Sequence, residues 1–599
     1  MRSPARVLNS LTKHSQTTEY RFERLYRILF NEEMYYLAYQ RIYAKPGNMT
    51  QGADGETIDR MSLPRIEKLI LSLKDESYSP QPSRRVHIPK KNGKTRPLGV
   101  PSFDDKLVQE VVRMVLEAIY EGHFEDTSHG FRPHRSCHTA LNAVQKTFTG
   151  KKWFIEGDIK GFFDNVNHDI LIDILKERIS DERSIRLIRK FLRAGYLEQW
   201  RFHGTYSGMP QGGIISPVLA NIYLDKLDKY MKEYAAGFDR GNRVRACREY
   251  EALTYQKRLV MRELKTATNN VERKVLVKRL KEIDKTRSAM PCFDPMDGNF
   301  KRLKYVRYAD DFLIGIIVSK VKIKDDIKRF LADRLALELS DEKTLVTHTE
   351  KPAKFLGYEV TVRKSNLQKR NKRGSLSRVY GNKVRLKVTT EVIKKKLLEL
   401  GVLKFSYHNG HEQWIPKHRS ELINNDDLEI LDSYNAEIRG FYNYYSIANN
   451  ASELNTFHYI MQYSMYKTFA GKYRTTVRRI CQKYKRNGVF TVGYTVKNGK
   501  AKERRLYNEG FKRKRPSYDR SVDRCPNPMP GVSTTSLIDR LKAQKCELCG
   551  ATDNLVMHHV RKLGELKGKE NWEKLMIARR RKTMAVCGSC HQKIHHGTF

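Results

Sequence analysis

Fifteen residues, KYVRYADDFLIGIIV at 304–318, set two adjacent aspartates, Asp310 and Asp311, between two apolar, strand-like segments. Apolar and β-branched runs of this length suit buried sheet. An Asp-Asp pair between them is a tight turn, so both carboxylates project from the tip of a hairpin. A fold containing this element must be built around a sheet. Taken alone, the pair is equally compatible with an ordinary turn, because aspartate is a favoured turn residue.

A second acidic strand end sharpens the reading. In FIEGDIKGFFDNV, Asp158 ends another buried-looking run. Carboxylates crowded together are costly unless a proton or cation compensates. Two divalent metals would do so, and would align attacking and leaving oxygens for phosphoryl displacement. Asp158, Asp310 and Asp311 supply such a site if the two strands are neighbours.

The rest of the chain carries an unusual charge. Among 599 residues, 114 Lys and Arg against 68 Asp and Glu leave a net charge of +46. So much like charge implies a polyanionic partner, most simply nucleic acid. Hydrophobic content of 39% still permits buried cores and excludes wholesale disorder. The longest uncharged stretch, 204–224, is interrupted by prolines and glycines, so no membrane-spanning helix is expected. The N-terminus lacks a secretory apolar region, which points to a bacterial cytoplasm. Its basic, Ser-containing start keeps a mitochondrial matrix as the alternative.

Punctuation along the chain suggests its organisation. Helices are expected over the first 75 residues, then a basic hairpin at 80–101 with Asn92-Gly93 at its turn. Residues 242–290 contain neither Gly nor Pro and are dense in Lys, Arg and Glu, predicting two exposed helices that break near Asn269-Asn270. Whether that insertion is a solvated hairpin or an RNA-contacting arm stays open. A Pro-rich linker at 525–531 precedes a Cys/His-rich module. There, Cys546-x-x-Cys549 and Cys587-x-x-Cys590 have four-cysteine zinc spacing, with His558-His559 between the pairs and His591 and His595 after them. Structural zinc would staple a domain too small for its own core. His559 has the chemistry of a general base, and His558 and His591 that of a second cation's ligands. A purely structural, DNA-binding knuckle is the rival reading.

Seven motifs, in order, resemble reverse transcriptases of the group II intron-encoded type. They are RPLGVPSFDDKLVQEVV (96–112), SHGFRPHRSCHTAL (128–141), DIKGFFD (158–164), GMPQGGIISP (208–217), YADD (308–311), DEKT (341–344) and FLGY (355–358). RGFYNYY at 439–445 resembles the maturase region of the same proteins, and C-x₂-C…HH…C-x₂-C-H resembles their HNH endonucleases. The resemblance implies that Asp158, Asp310 and Asp311 hold two Mg²⁺ ions. Phe163 would exclude a ribose 2′-hydroxyl, Lys90 and Arg96 would grip the dNTP triphosphate, Gln211 would line the nucleotide pocket, and Lys343 would protonate pyrophosphate. Arg439, Tyr442, Tyr444 and Tyr445 would contact RNA, although an aromatic face packed against the thumb reads equally well for each tyrosine. In the nuclease, His559 would be the base, His558, His591 and His595 would hold one Mg²⁺, and Cys546, Cys549, Cys587 and Cys590 would hold Zn²⁺. Lys582 stands where that family often has asparagine, leaving Asn571 or Thr583 to orient His559.

The expected fold is therefore multidomain α+β. It comprises right-hand polymerase fingers and palm (1–370, with an insertion at about 232–300), a helical thumb or maturase domain (371–480), a basic DNA-binding segment (481–540) and a ββα-metal HNH module (541–599). The expected activities are cDNA synthesis by target-primed reverse transcription, help in splicing, and cutting of one target DNA strand. Expected partners are group II intron RNA, target DNA and dNTPs, with homodimerisation left open.

Overall fold

The computed structural model describes residues 2–44, 47–89, 95–199, 201–209, 212–294, 297–317, 321–363, 368–370, 376–378, 382–495, 501–519, 537–579 and 581–598. It is a mixed α+β, multidomain fold. The N-terminal part is largely helical and includes α1 (Glu32–Ile42), opened by Asn31, whose side chain caps the Glu33 amide. Strands β1 (Ser83–Pro89) and β2 (Thr95–Val100) form the basic hairpin in antiparallel register, Arg84 opposite Val100. Helix α2 (Phe103–Tyr120), capped by Ser102, buries almost every turn.

The central sheet contains β3 (Trp153–Asp158), β4 (Arg302–Tyr308), β5 (Asp311–Ile317) and β6 (Leu345–His348), ordered β4-β5-β3-β6. All three pairings are antiparallel. Ile155, Leu303, Tyr305, Phe312 and Ile314 face a core shared with the N-terminal helices and the long helix α3 (Ser216–Phe238). Phe154, Val306 and Leu313 face a second core shared with a helical region nearer the C-terminus. Burial on both faces explains why these strands read as continuous apolar runs rather than alternating ones.

Between α3 and β4 stand α4 (Arg248–Thr266) and α5 (Asn270–Ala289), with Asn269 capping the second through the Val271 amide. Val260, Leu276 and Ile283 give the pair a small core of its own, and Lys257 bonds Asp284 at 2.8 Å. The remaining faces of both helices are exposed.

A second, helical region is built on α6 (Asp427–Tyr445) and α7 (Leu454–Lys472). Its core does not stop at residue 480: Tyr484, Phe490, Val492, Leu506, Tyr507 and Phe511 belong to it. The expected boundary there was too early, because basic side chains on the surface hid an apolar inner face. The linker at 525–531 lies outside the described residues. Beyond it, α8 (Leu537–Lys542) leads to a hairpin of β7 (Leu555–His559) and β8 (Thr583–Cys587), followed by α9 (Gly588–His596). This module is docked rather than separate: Leu537, Ile538, Leu541, Met557 and Ala585 join the core of the fingers.

Arg307 sets the palm geometry from complete burial. Its Nη2 and Nε meet the two oxygens of Asp228 on α3 at 2.5 and 2.7 Å, and Tyr305 donates to the same carboxylate at 2.9 Å. Nη1 donates to the Ala309 carbonyl at 2.9 Å, and Nη2 to Ser128 Oγ at 2.8 Å. Breaking a buried pair from one side strands a charge and typically costs about 3–5 kcal/mol, whereas replacing both partners with apolar groups is often neutral. Arg307→Met is therefore expected to lower urea stability by about that amount, and adding Asp228→Leu to recover much of it. Equal losses in the single and double variants would refute the assignment.

Candidate functional site

The β4–β5 turn runs Tyr308-Ala309-Asp310-Asp311, with Ala309 at φ +56°. It is held by residues 127–130. The Arg307 and Thr127 backbones bond at 2.8 Å, His129 N donates to Arg307 O at 2.9 Å, and Gly130 lies under the turn. A Cβ on Gly130 would sit 2.3 Å from Ala309 N, so only glycine lets the hairpin approach this closely.

In β3, Asp158 is directly opposite Asp311. The expected neighbouring of the two strands is observed, and three carboxylates gather at one sheet end. Ser340 N donates to Asp158 O at 2.9 Å, which brings the 341–344 loop to the same place. There Lys343 Nζ bonds Asp158 Oδ2 at 2.7 Å. Its pKa is raised, chiefly by that hydrogen bond. Lost hydration, with Asp310 and Asp158 close by, pushes the Asp311 carboxyl up to about 7. The cluster sets hard, mutually repelling oxygen donors together, with one lysine partly compensating.

Phe163 is half-buried and lines a cleft of about 460 Å³ whose other wall is the fingers hairpin, through Arg85, Pro97 and Gly99. Gln211 and Lys90 lie outside the described residues, and Arg96 is described only by its backbone, opposite Ile88. The segment around Gln211 is nevertheless anchored. Gly212 has φ +116°, and a Cβ there would meet Gly99 O at 2.4 Å, while Gln109 Oε1 accepts from Ile214 N at 2.8 Å. Three of the sequence motifs thus converge on one wall.

The tyrosines of 442–445 are placed differently from an RNA-stacking row. Tyr442 and Tyr445 are 2% and 7% exposed. Tyr442 donates to Lys512 O at 2.6 Å, Tyr444 to Leu356 O at 2.9 Å and Tyr445 to Gly357 O at 3.4 Å. Tyr442 and Tyr445 are corrected here to packing residues, and Tyr444 ties the thumb to the FLGY turn. Aromatic rings on a helix that crosses between two domains gain more from burial than from exposure. Arg439 alone is exposed, its guanidinium 5.9 Å from the Tyr507 ring.

In the C-terminal module the thiols of Cys546, Cys549, Cys587 and Cys590 lie within 4.8 Å of one another. The Cys549 and Cys590 amides each donate to a thiol, Cys546 Sγ and Cys587 Sγ, at 3.5 Å. Burial opposes ionisation of Cys546, but backbone donors bring it down to about 7, as a metal-binding thiolate needs. The residues fit a closed tetrahedral zinc site.

A second donor cluster joins His558, His591 and His595 to Asp59, an N-terminal residue that no local sequence pattern singles out. His591 Nε2 and His595 Nε2 lie 3.0 and 2.9 Å from Asp59 Oδ2. Although burial disfavours its charge, the Asp59 carboxyl is held well below the usual range by His591, His558 and the His559 amide. His559 is fully enclosed, bonded through Nε2 to Tyr39 Oη at 2.7 Å, and burial depresses its pKa to about 3. Opposite His559 in the ladder stands Thr583, whereas Asn571 is exposed at a helix start, so Thr583 is the nearer of the two alternatives.

Comparison with known proteins agrees with this layout. A reverse transcriptase (RNA-dependent DNA polymerase) model matches residues 88–255, a type II intron maturase model 382–515, and an AI2M/AI1M-like HNH endonuclease model 546–591. The chain is 43% identical over 606 residues, the whole of both chains, to the group II intron-encoded protein LtrA of Lactococcus lactis subsp. cremoris. The chain belongs to the group II intron-encoded proteins. It is 34% identical to a putative COX1/OXI3 intron 1 protein of Saccharomyces cerevisiae, over 96% of this chain and 69% of that one. A 91 kDa protein in a cob intron of Schizosaccharomyces pombe is also 34% identical, over 95% and 69%. Like others of the family, this member is an RNA-directed DNA polymerase and a DNA endonuclease with a maturase segment. The polymerase match ends at 255, inside the helical insertion that separates Asp158 from Asp310 in sequence. Among the described residues no helix is long and apolar enough to cross a membrane.

The raised Asp311 carboxyl has a consequence for stability. Between about pH 4 and about pH 7 the folded, metal-free protein binds more protons than the unfolded chain, so this group makes stability fall as pH rises. Mg²⁺ held at these carboxylates would relieve that repulsion once the proton is gone. Its stabilising shift in calorimetric melting is expected to be larger at about pH 8 than at about pH 5, and Asp311→Asn should flatten the difference. A shift independent of pH in the unaltered protein would count against this.

Proposed function

We propose that Asp158, Asp310 and Asp311 hold the two Mg²⁺ ions of the polymerase centre, on the strength of one observation: the β3–β5 register that sets Asp158 against Asp311 at the sheet end. When bound, the ions supply charge neutralisation and alignment for phosphoryl transfer. Lys343 holds Asp158 in place and stands ready to donate a proton to departing pyrophosphate. Phe163 restricts the sugar to the deoxy form by its bulk, Lys90 and Arg96 bind the triphosphate, and Gln211 completes the nucleotide pocket. Residues 1–370 act as fingers and palm, 371 to about 515 as thumb and maturase, and the basic residues beyond as the DNA-binding segment. Arg439 contributes to an RNA-binding surface.

In the nuclease, Cys546, Cys549, Cys587 and Cys590 would hold structural Zn²⁺. His558, His591 and His595 would hold the catalytic cation, and His559 removes the proton from water attacking the target strand. The partners are the group II intron RNA, the target DNA and dNTPs, in a bacterial cytoplasm, the Lactococcus relative being bacterial. The maturase segment binds the folded intron, one DNA strand is cut, and its 3′-OH primes cDNA synthesis at the aspartates.

Expression of the gene within its own flanking DNA, followed by sequencing of RNA that copurifies, tests the central partnership. One dominant structured RNA excised from around this gene is the expected result, and bulk cellular RNA without enrichment would sink it. Asp310→Asn should reduce cDNA synthesis by at least about a thousandfold while leaving DNA cutting intact, and His559→Ala should do the reverse. Loss of both activities in either variant would contradict two separate centres.

A further inference from the structure

The donors around Asp59 come from opposite ends of the chain. Two imidazoles, those of His591 and His595, converge on one carboxylate oxygen, and the other oxygen faces His558 Nδ1 at 3.6 Å. His558 is 3% exposed, and neither of its ring nitrogens has a hydrogen-bond partner. An unsatisfied buried imidazole is costly unless something completes it. The four side chains offer ligand atoms within 4.8 Å of one another. Three nitrogens and one carboxylate oxygen are a donor set suited to zinc-like first-row cations rather than to Mg²⁺.

We propose that Asp59 is an interdomain metal ligand: with His558, His591 and His595 it closes a four-donor site that latches the nuclease module onto the fingers in a form closed to DNA. This rests on the nuclease reading above and adds to it a resting state. Catalytic sites of such metals keep one position open for water or substrate, whereas four protein donors leave none. The docking that brings Asp59 to the histidines also hides the base. His559 is 5% exposed, its Nε2 is bonded to Tyr39, and its amide donates to Asp59 Oδ1 at 2.8 Å. No phosphodiester can reach a nitrogen so enclosed. Around this point Met557 N donates to Met61 O at 2.8 Å, and Lys542 pairs with Glu33 at 3.1 Å. Withdrawal of Asp59 would leave three histidines with one open position and would uncover His559. One motion thus supplies both things that cutting requires.

The test uses the full-length protein with its cysteine site zinc-loaded, and Co²⁺ as the probe. Four-coordinate Co²⁺ absorbs visible light far more strongly than five- or six-coordinate Co²⁺. The unaltered protein is expected to give the intense spectrum and slow exchange of the Met557 and His559 amides on adding Co²⁺. Asp59→Asn, which keeps an acceptor for the His559 amide, should shift the visible bands, as water takes the place of the carboxylate, and give about tenfold faster exchange at both amides, equivalent to roughly 1.4 kcal/mol of docking. It should also nick supercoiled plasmid faster. Identical spectra and exchange in the two proteins would overturn the latch, as would a variant that loses nicking altogether, because Asp59 would then belong to the working centre. If the variant does not fold, the unaltered protein still decides, since Co²⁺ that fails to slow the two amides overturns the proposal. His559→Ala separates the readings: nicking undiminished in that variant would defeat the nuclease assignment itself.

Discussion

The palm depends on a single buried charge. Arg307 is wholly enclosed and spends its donors on Asp228, Asn221, Ser128 and the Ala309 carbonyl. A guanidinium is suited to this because its five donors lie in one fixed plane and it does not deprotonate. It fixes the Asp310–Asp311 turn to α3 on one side and to the 127–130 segment on the other. The mutually repelling carboxylates of Asp158, Asp310 and Asp311 would otherwise push a free hairpin tip apart. Rigidity bought by a buried ion pair is thus set directly beneath the groups that most need it.

The same logic explains the division of labour along the chain. The palm sheet is covered on both faces, by the fingers core on one and the thumb core on the other. Its clustered carboxylates therefore emerge only at a sheet end, where β3 ends and β5 begins. The large insertion of α4 and α5 is tolerated between α3 and β4 because it carries its own small core and leaves the sheet register untouched. Apart from a few buried cations such as Arg307, the positive charge is left to the outer surfaces, where it costs little and suits a polyanionic partner.

The thumb and nuclease show how a motif's residue types can mislead about exposure. RGFYNYY has the composition of a nucleic-acid surface, yet Tyr442 and Tyr445 are interior and Tyr444 joins the thumb to Leu356. Aromatics interleaved with an arginine are compatible with either face of a helix, and sequence gives no means of choosing until the packing partner is known. In the nuclease, the cysteine and histidine spacing was informative because metal geometry restricts it locally. Asp59 left no such trace, since it lies some five hundred positions away from its partners and its loop, ADGETID, reads as an ordinary turn.

What the sequence by itself determined is the chemistry that local pattern can carry. That covers the acidic strand ends, the two cysteine pairs, the paired histidines, the helical insertion with its break near Asn269, and through ordered motifs the family. Each is encoded within a few residues by turn preference, ligand spacing or periodicity. Only the tertiary structure decided which distant groups meet: Asp158 with Asp311, Lys343 with Asp158, Arg307 with Asp228, and Asp59 with the nuclease histidines. Those meetings follow from strand register and from the docking of one core onto another. Both are collective results of packing across hundreds of residues, and neither is written in any short segment of the chain.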